Sequence, residues 1–129
     1  MTLGLAPTNL ANKWLDMMGG TAFTAPTGAY VKLHTADPGV AGATAASANT
    51  TRAQITWSAA SGGSKAMSGT LSWASWAAGT ETISHISIWD ASTAGNFLWS
   101  GSLSASKTVN NGDTLQITSL SLALTPIAA

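Results

Sequence analysis

The residues able to do chemistry are few. Two histidines, His34 and His85, stand beside four aspartates, one glutamate and no cysteine, so any acid–base or metal site must be drawn from this short set. His34 precedes Asp37 by three positions in YVKLHTADPG, Tyr30 to Gly39. A metal centre needs three or four ligands, and no third one follows in this stretch. Asp37-Pro38-Gly39 instead reads as a turn: Pro38 presets φ, and the Asp37 carboxylate can bond back to the backbone. His34 or Thr35 would then tie the corner through a side-chain hydrogen bond. His85 and Asp90 lie five apart in TISHISIWD, on opposite faces of a strand, so they form no dyad. Ser104 to Lys107, SASK, has the Ser-x-x-Lys spacing of serine acylases, but that chemistry needs the pair on a helix, and this stretch is expected between two strands. A carboxylate pair for glycoside cleavage would have to come from Asp16, Asp37, Asp90, Asp113 and Glu81; four of these fall in turns, loop edges or a helix end. The expectation is therefore no catalytic residue, no metal ligand and no cofactor.

The elements that would carry these residues are legible from periodicity. In APTNLANKWLDMMGG, Thr8 is the expected N-cap, and Leu10, Ala11, Trp14, Leu15 and Met18 recur at helical spacing. Gly19 and Gly20 supply a left-handed stop. So short a helix is marginal alone and must lay its Trp14/Leu15/Met18 face on its own sheet or on a partner. From Tyr30 onward the period becomes two: YVKLHT, RAQITW, GTLSWASW, ETISHISIWD, NFLWSGSL and KTVNNGDTLQITSLSLALT alternate between turn clusters. Asn111-Gly112 is the dipeptide of a type I′ hairpin turn. Leu115 and Ile117 differ in parity from Leu120, Leu122 and Leu124, so a bulge or strand switch near Thr118-Ser119 would bring all five to the core. Gly39 to Thr51 has small residues without period and is expected to be an exposed loop or an arm that orders on a partner.

This pattern implies a mainly β fold, an antiparallel β-sandwich of jelly-roll or Ig-like kind with one short N-terminal α-helix. Residues 1–20 form the expected helical anchor and 21–129 the sandwich, within a single globular domain. With only Phe23 and Phe97 as phenylalanines, tryptophan must fill much of the core. Trp57 and Trp73 follow their strands' apolar parity, whereas Trp76 breaks it and is the candidate exposed or interfacial ring.

Charge narrows the function classes. Charged residues are 8% of the chain and sum to zero net charge, against about 25% in ordinary globular proteins. Lys13, Lys32, Arg52, Lys65 and Lys107 are too scattered for a nucleic-acid footprint, and no run approaches the ~18 apolar residues of a membrane span. A surface of Ser, Thr, Ala and Gly lacks the repulsion that keeps copies apart, which points to a subunit packed against itself or other proteins. A module gripping sugar rings through exposed tryptophan is the rival reading.

YVKLHTADPG, AQITWSAASGG, ISHISIWDASTAGNFLWSGSL and VNNGDTLQITSLSLAL, in that order, resemble a family of small virion proteins of tailed bacteriophages, many from actinobacterial hosts. Leu33 to Gly39 is the most specific block. Members are described as tail fibre, minor tail or capsid-associated proteins. The resemblance implies a non-enzymatic virion part, assembled in the host cytoplasm. Its implied partners are its own copies and other capsid or tail proteins, with a host-surface glycan as the alternative. The Ala/Thr-rich Gly39–Thr51 stretch departs from the polar, acidic loop of such relatives.

Overall fold

Alternating β-branched residues in the middle of the chain build the central layer. The computed structural model describes residues 3–124; the outermost parts of the two expected regions, 1–2 and 125–129, lie outside the described residues. The central sheet has five antiparallel strands: β1 (Gly4–Leu5), β2 (Tyr30–His34), β3 (Ala53–Gln54), β6 (Glu81–Trp89) and β7 (Phe97–Val109), in the order β1-β7-β6-β2-β3. Two short ladders complete the β structure. One joins β4 (Ser64–Ala66) to β9 (Ser121–Ala123), the other β5 (Leu71–Trp73) to β8 (Leu115–Ile117). The fold is mainly β and antiparallel, as the two-residue period implied, and its layering is sandwich-like.

Pairing of β2 with β6 sets Val31 opposite Ile88 and Leu33 opposite Ile86 on one face. Leu71, Trp73, Leu115 and Ile117 of the second ladder, with Ile83 and Val109, close a single core against that face. The strand switch expected near Thr118-Ser119 is present: β8 pairs with β5 and, three residues on, β9 pairs with β4. Of the five apolar residues it was to bring inward, Leu115 and Ile117 are buried and Leu120 packs on the core. Leu124, at the end of the ladder, stays exposed.

The N-terminal segment departs from the expectation in two ways. A π-helical turn, Pro7–Ala11, precedes the α-helix α1 (Asn12–Met18). Its cap position is Ala6 and makes no side-chain bond, so Thr8 caps nothing; Pro7 at the first position, lacking an N–H, removes one orphan donor instead. The segment also contributes a strand and buried side chains to the body. β1 adds an edge to the sheet beside β7, and Ala6 and Leu10 are buried in the body formed by residues 21–124. The C-terminal stop is as expected: Gly20 has φ +92°, and the amides of Thr21 and Gly20 bond to the Asp16 and Met17 carbonyls in a Schellman closure.

Two turn and strand expectations are corrected. At Asn110–Asp113 only Gly112 has positive φ, with the Asp113 amide on the Asn110 carbonyl. That is the pattern of a type II turn, not type I′. The flanking strands do not pair with one another, so nothing demands a hairpin turn. Ser104 to Lys107 lie within β7, not between strands. They coincide with an irregularity where the partners of Ile83 and His85 jump from Lys107 to Ser102.

Candidate functional site

The outer face of the sheet carries the alternate residues of the same strands: Tyr30, Lys32 and His34 of β2 opposite Trp89, Ser87 and His85 of β6. A polar face can be buried only if its groups find partners. Here the Gly39–Thr51 segment folds back over the sheet and supplies them. His34 Nδ1 lies 2.8 Å from the Thr44 carbonyl and Nε2 2.7 Å from Ser87 Oγ. A carbonyl only accepts, so Nδ1 carries the proton and Nε2 takes the Ser87 hydroxyl hydrogen. Ser87 Oγ accepts in turn from Trp89 Nε1 at 2.8 Å. Further along, Ser47 Oγ donates to Glu81 Oε2 at 2.6 Å and the Ala48 amide to Oε1 at 3.0 Å, while the Ser47 amide bonds to the Leu33 carbonyl.

The loop is thus fastened to the body at several points; the exposed loop of the two expectations describes it, since most of its residues are exposed, and the arm awaiting a partner does not. Small residues are required at its closest approach. Gly42 has φ +67°, and a Cβ there would collide with the Phe97 ring. The corner itself is as read from sequence. Asp37 Oδ1 accepts from the Gly39 amide at 2.8 Å, Pro38 is buried, Gly39 has φ +73°, and Thr35 Oγ1 ties to the Ala45 carbonyl.

A serine hydroxyl 2.7 Å from a histidine nitrogen has the spacing of a nucleophile and its base. The surroundings remove that chemistry. Both His34 and Ser87 are 0% exposed, so no substrate carbonyl can reach Oγ. The far nitrogen of the histidine meets a neutral carbonyl instead of a carboxylate, so no opposite charge stabilises an imidazolium. Burial pushes the His34 pKa down, with the Thr44 carbonyl opposing and the nearby Lys32 charge adding to the fall. The pair is a structural cross-brace. His85, its cross-strand neighbour, bonds through its ring to Ser84 Oγ next to it, and Asp90 is held by the Asn96 amide and side chain. They are not brought together. Among the described residues no three His, Asp or Glu side chains gather as a metal site would require.

A concavity elsewhere is apolar. On the core side of the sheet, a cleft of about 490 Å³ opens between the N-terminal segment and the sheet. Its walls include Leu10, Trp14, Phe23, Trp57, Trp99 and Leu122, with Lys65 the one charged group among the described residues that line it. The residues expected to contact a partner divide here. Trp14 turns inward and packs on the core, whereas Leu15 and Met18 are 67% and 83% exposed, beside Met17 at 48%. These three form an apolar tip on α1 next to the cleft.

Trp76 is corrected outright: it is 2% exposed and among the largest fully buried side chains. Ser75, with φ +53°, breaks the strand after Trp73 and turns the chain, so parity no longer predicts direction. The Gly112 amide, bonding to the Trp76 carbonyl, and the Trp76 ring nitrogen, bonding to the Gly79 carbonyl, hold the ring inside. Sequence reading missed Ser87 and Trp89. The signal was present in ISIW, where a serine interrupts β-branched residues on the outer face, between positions that need a polar partner.

A family model described as Podophage GP4 fiber I protein gp80 matches residues 6–125, from the buried Ala6 past the last strand. No curated protein matches the chain.

Proposed function

The chain belongs to the podophage GP4 fiber I protein gp80 family, a structural component of a bacteriophage particle, and from that premise we propose that it serves as a non-enzymatic, fibre-type tail subunit held by protein–protein contacts, its own copies among them. The observation that carries the reading is the apolar tip of α1: Leu15, Met17 and Met18 stand in solvent beside the apolar cleft. Covering what these three side chains still expose is worth at most about 1.5–3 kcal/mol each, enough for a weak contact that repetition along a particle strengthens. The sealed His34–Ser87 pair supports a role without catalysis.

Because β1 and Leu10 belong to the fold, removing the segment would test folding and assembly together. Surface substitution separates them. Leu15→Ser with Met18→Ser should leave the thermal unfolding midpoint within about 2 °C, since surface changes are usually within ±0.5 kcal/mol. Incorporation into particles, followed by immunogold microscopy of wild-type and variant virions, should fall and the wild-type label should mark the tail. Label on the capsid shell would favour the decoration role, and normal loading of the variant would remove α1 as the contact.

A further inference from the structure

Asn111-Gly112, which the fold uses for no hairpin, has a chemistry of its own. Asparagine is a thermolabile residue, and most of all before glycine, whose missing Cβ leaves its backbone nitrogen unobstructed. That nitrogen attacks the asparagine Cγ. Its proton leaves with the side-chain amide as ammonia, and a five-membered succinimide ring closes. Water then opens the ring at either carbonyl, giving aspartate or isoaspartate. No other asparagine of the chain precedes a glycine, and Asn111 is exposed. By sequence and exposure alone it should be the first asparagine here to react.

The structure engages both reacting groups. The Gly112 amide, which holds the attacking nitrogen, donates to the Trp76 carbonyl at 2.8 Å. Asn111 Oδ1 accepts from the Gly79 amide at 2.8 Å. A donor on that oxygen would also steady the oxyanion of an attack, so protection rests on the nitrogen. To react, it must give up its proton and leave its hydrogen bond. The turn around it is fastened on every side. The Trp76 amide bonds to the Asp113 carbonyl at 2.9 Å and the Asp113 amide to the Asn110 carbonyl at 3.0 Å. Asp113 Oδ2 accepts from the Asn110 amide at 2.9 Å, and Asn110 Oδ1 from the Thr80 hydroxyl at 3.0 Å. Trp76 is buried and its ring nitrogen bonds to the Gly79 carbonyl. Both partners of the Asn111-Gly112 pair are therefore anchored to the core.

We infer that Asn111 is a deamidation site held latent by this turn. It stays intact while the bonds to Trp76 and Gly79 stand, and converts only through an opened form of segment 110–113. Its rate in the folded chain is then the unrestrained rate multiplied by the fraction of time the segment is open. Conversion places a negative charge on a chain of zero formal net charge. Isoaspartate also adds a backbone atom before Gly112 and displaces the amide that Trp76 receives. None of the residues assigned to assembly takes part, so failure of the α1 contact leaves the site standing, and its own failure leaves the fibre role standing.

The test incubates the full chain at pH 8, folded in buffer or unfolded in guanidinium chloride, and scores the amide-to-acid mass gain at each asparagine by peptide mapping. In guanidinium chloride Asn111 should convert faster than every other asparagine. In buffer its rate should fall about tenfold or more. Asp113→Ala, which takes the acceptor from the Asn110 amide, should raise the folded rate about threefold and leave the unfolded rate near that of wild type. Both chains are held well below their thermal midpoints, so that global unfolding adds nothing to either rate. Equal folded and unfolded rates in wild type, or a folded rate indifferent to Asp113→Ala, would each overturn the assignment.

Discussion

On one face of the five-stranded sheet, Val31, Leu33, Ile86 and Ile88 meet the apolar residues of the β5–β8 ladder. On the other face, one residue along the same strands, His34 meets a loop of small residues and bonds to Ser87. Apolar contact is non-directional and scales with area, so the first face tolerates an imperfect fit and leaves a cleft of about 490 Å³ beside the helix. Hydrogen bonds are directional, and an unmade one in a dry place is costly. The second face is therefore sealed only where every group closes. Among the described residues no buried side-chain nitrogen or oxygen lacks a partner. Lys32, Arg52 and Trp89, on the same side, are half-buried and meet in cation–ring contacts. The difference teaches where to look for function in a charge-poor domain: at the apolar surface that packing left over, and at the polar surface that the chain's own bonds did not use.

The largest expected effect lies on the apolar side. Trp76→Ala should cost about 3–5 kcal/mol, as for a large aromatic removed from a packed core, read as a shift of the urea midpoint with the slope unchanged. A loss below about 0.5 kcal/mol, typical of surface sites, would return Trp76 to the exposed position its spacing suggested. Adjacent residues then compare the faces directly. Ile86→Val, trimming one methylene from the core, should cost about 0.5–1.5 kcal/mol. Ser87→Ala, a smaller change in volume, should cost about 1–3 kcal/mol, because it orphans both His34 Nε2 and Trp89 Nε1. If Ser87→Ala proves the milder of the two, water or a rearranged ring is serving the polar face, and the rule drawn from the comparison fails.

What the sequence revealed follows the same division. Periodicity exposed the apolar face, because burial by area imposes a repeat: Val31/Leu33, Ile86/Ile88, Leu71/Trp73 and Leu115/Ile117 all lie where alternation placed them. The corner at Asp37-Pro38-Gly39 was legible because its bonds are local, spanning two residues. The His34–Ser87 bond spans 53 residues and the Ser47–Glu81 bond 34, and no local pattern encodes a partner that distant. The Gly39–Thr51 loop read as loose for the same reason: its anchors are backbone groups and remote side chains, invisible to composition. Trp76 was misplaced by a single positive-φ residue, Ser75, which reset the alternation on which the inference depended. The meeting of Lys32 on β2, Arg52 just before β3 and Trp89 on β6 could emerge only once register was known.

The subtlest test asks whether the sealed face behaves as sealed toward protons. In the folded chain the neutral form of His34 is favoured. Burial lowers its pKa, the Lys32 and His85 charges act in the same direction, and the Thr44 and Ala45 carbonyls oppose them without reversing the sign. In the unfolded chain the imidazole titrates near the ordinary value of about 6.5. As pH falls through that value, the unfolded chain takes up a proton that the folded chain declines, so the unfolded state binds more protons and stability falls with pH. The contribution should be flat above about pH 7 and should decline between the unfolded value and the lower folded one. Urea midpoints of wild type at pH 7.5, 6.5, 5.5 and 4.5, set against those of His34→Gln, isolate the term, since carboxylate titrations are common to both chains. The wild type should lose stability relative to the variant across this window, from a higher starting point at neutral pH. Parallel curves would mean that His34 exchanges protons freely in the folded state, which a ring fully enclosed between Thr44 and Ser87 should not do.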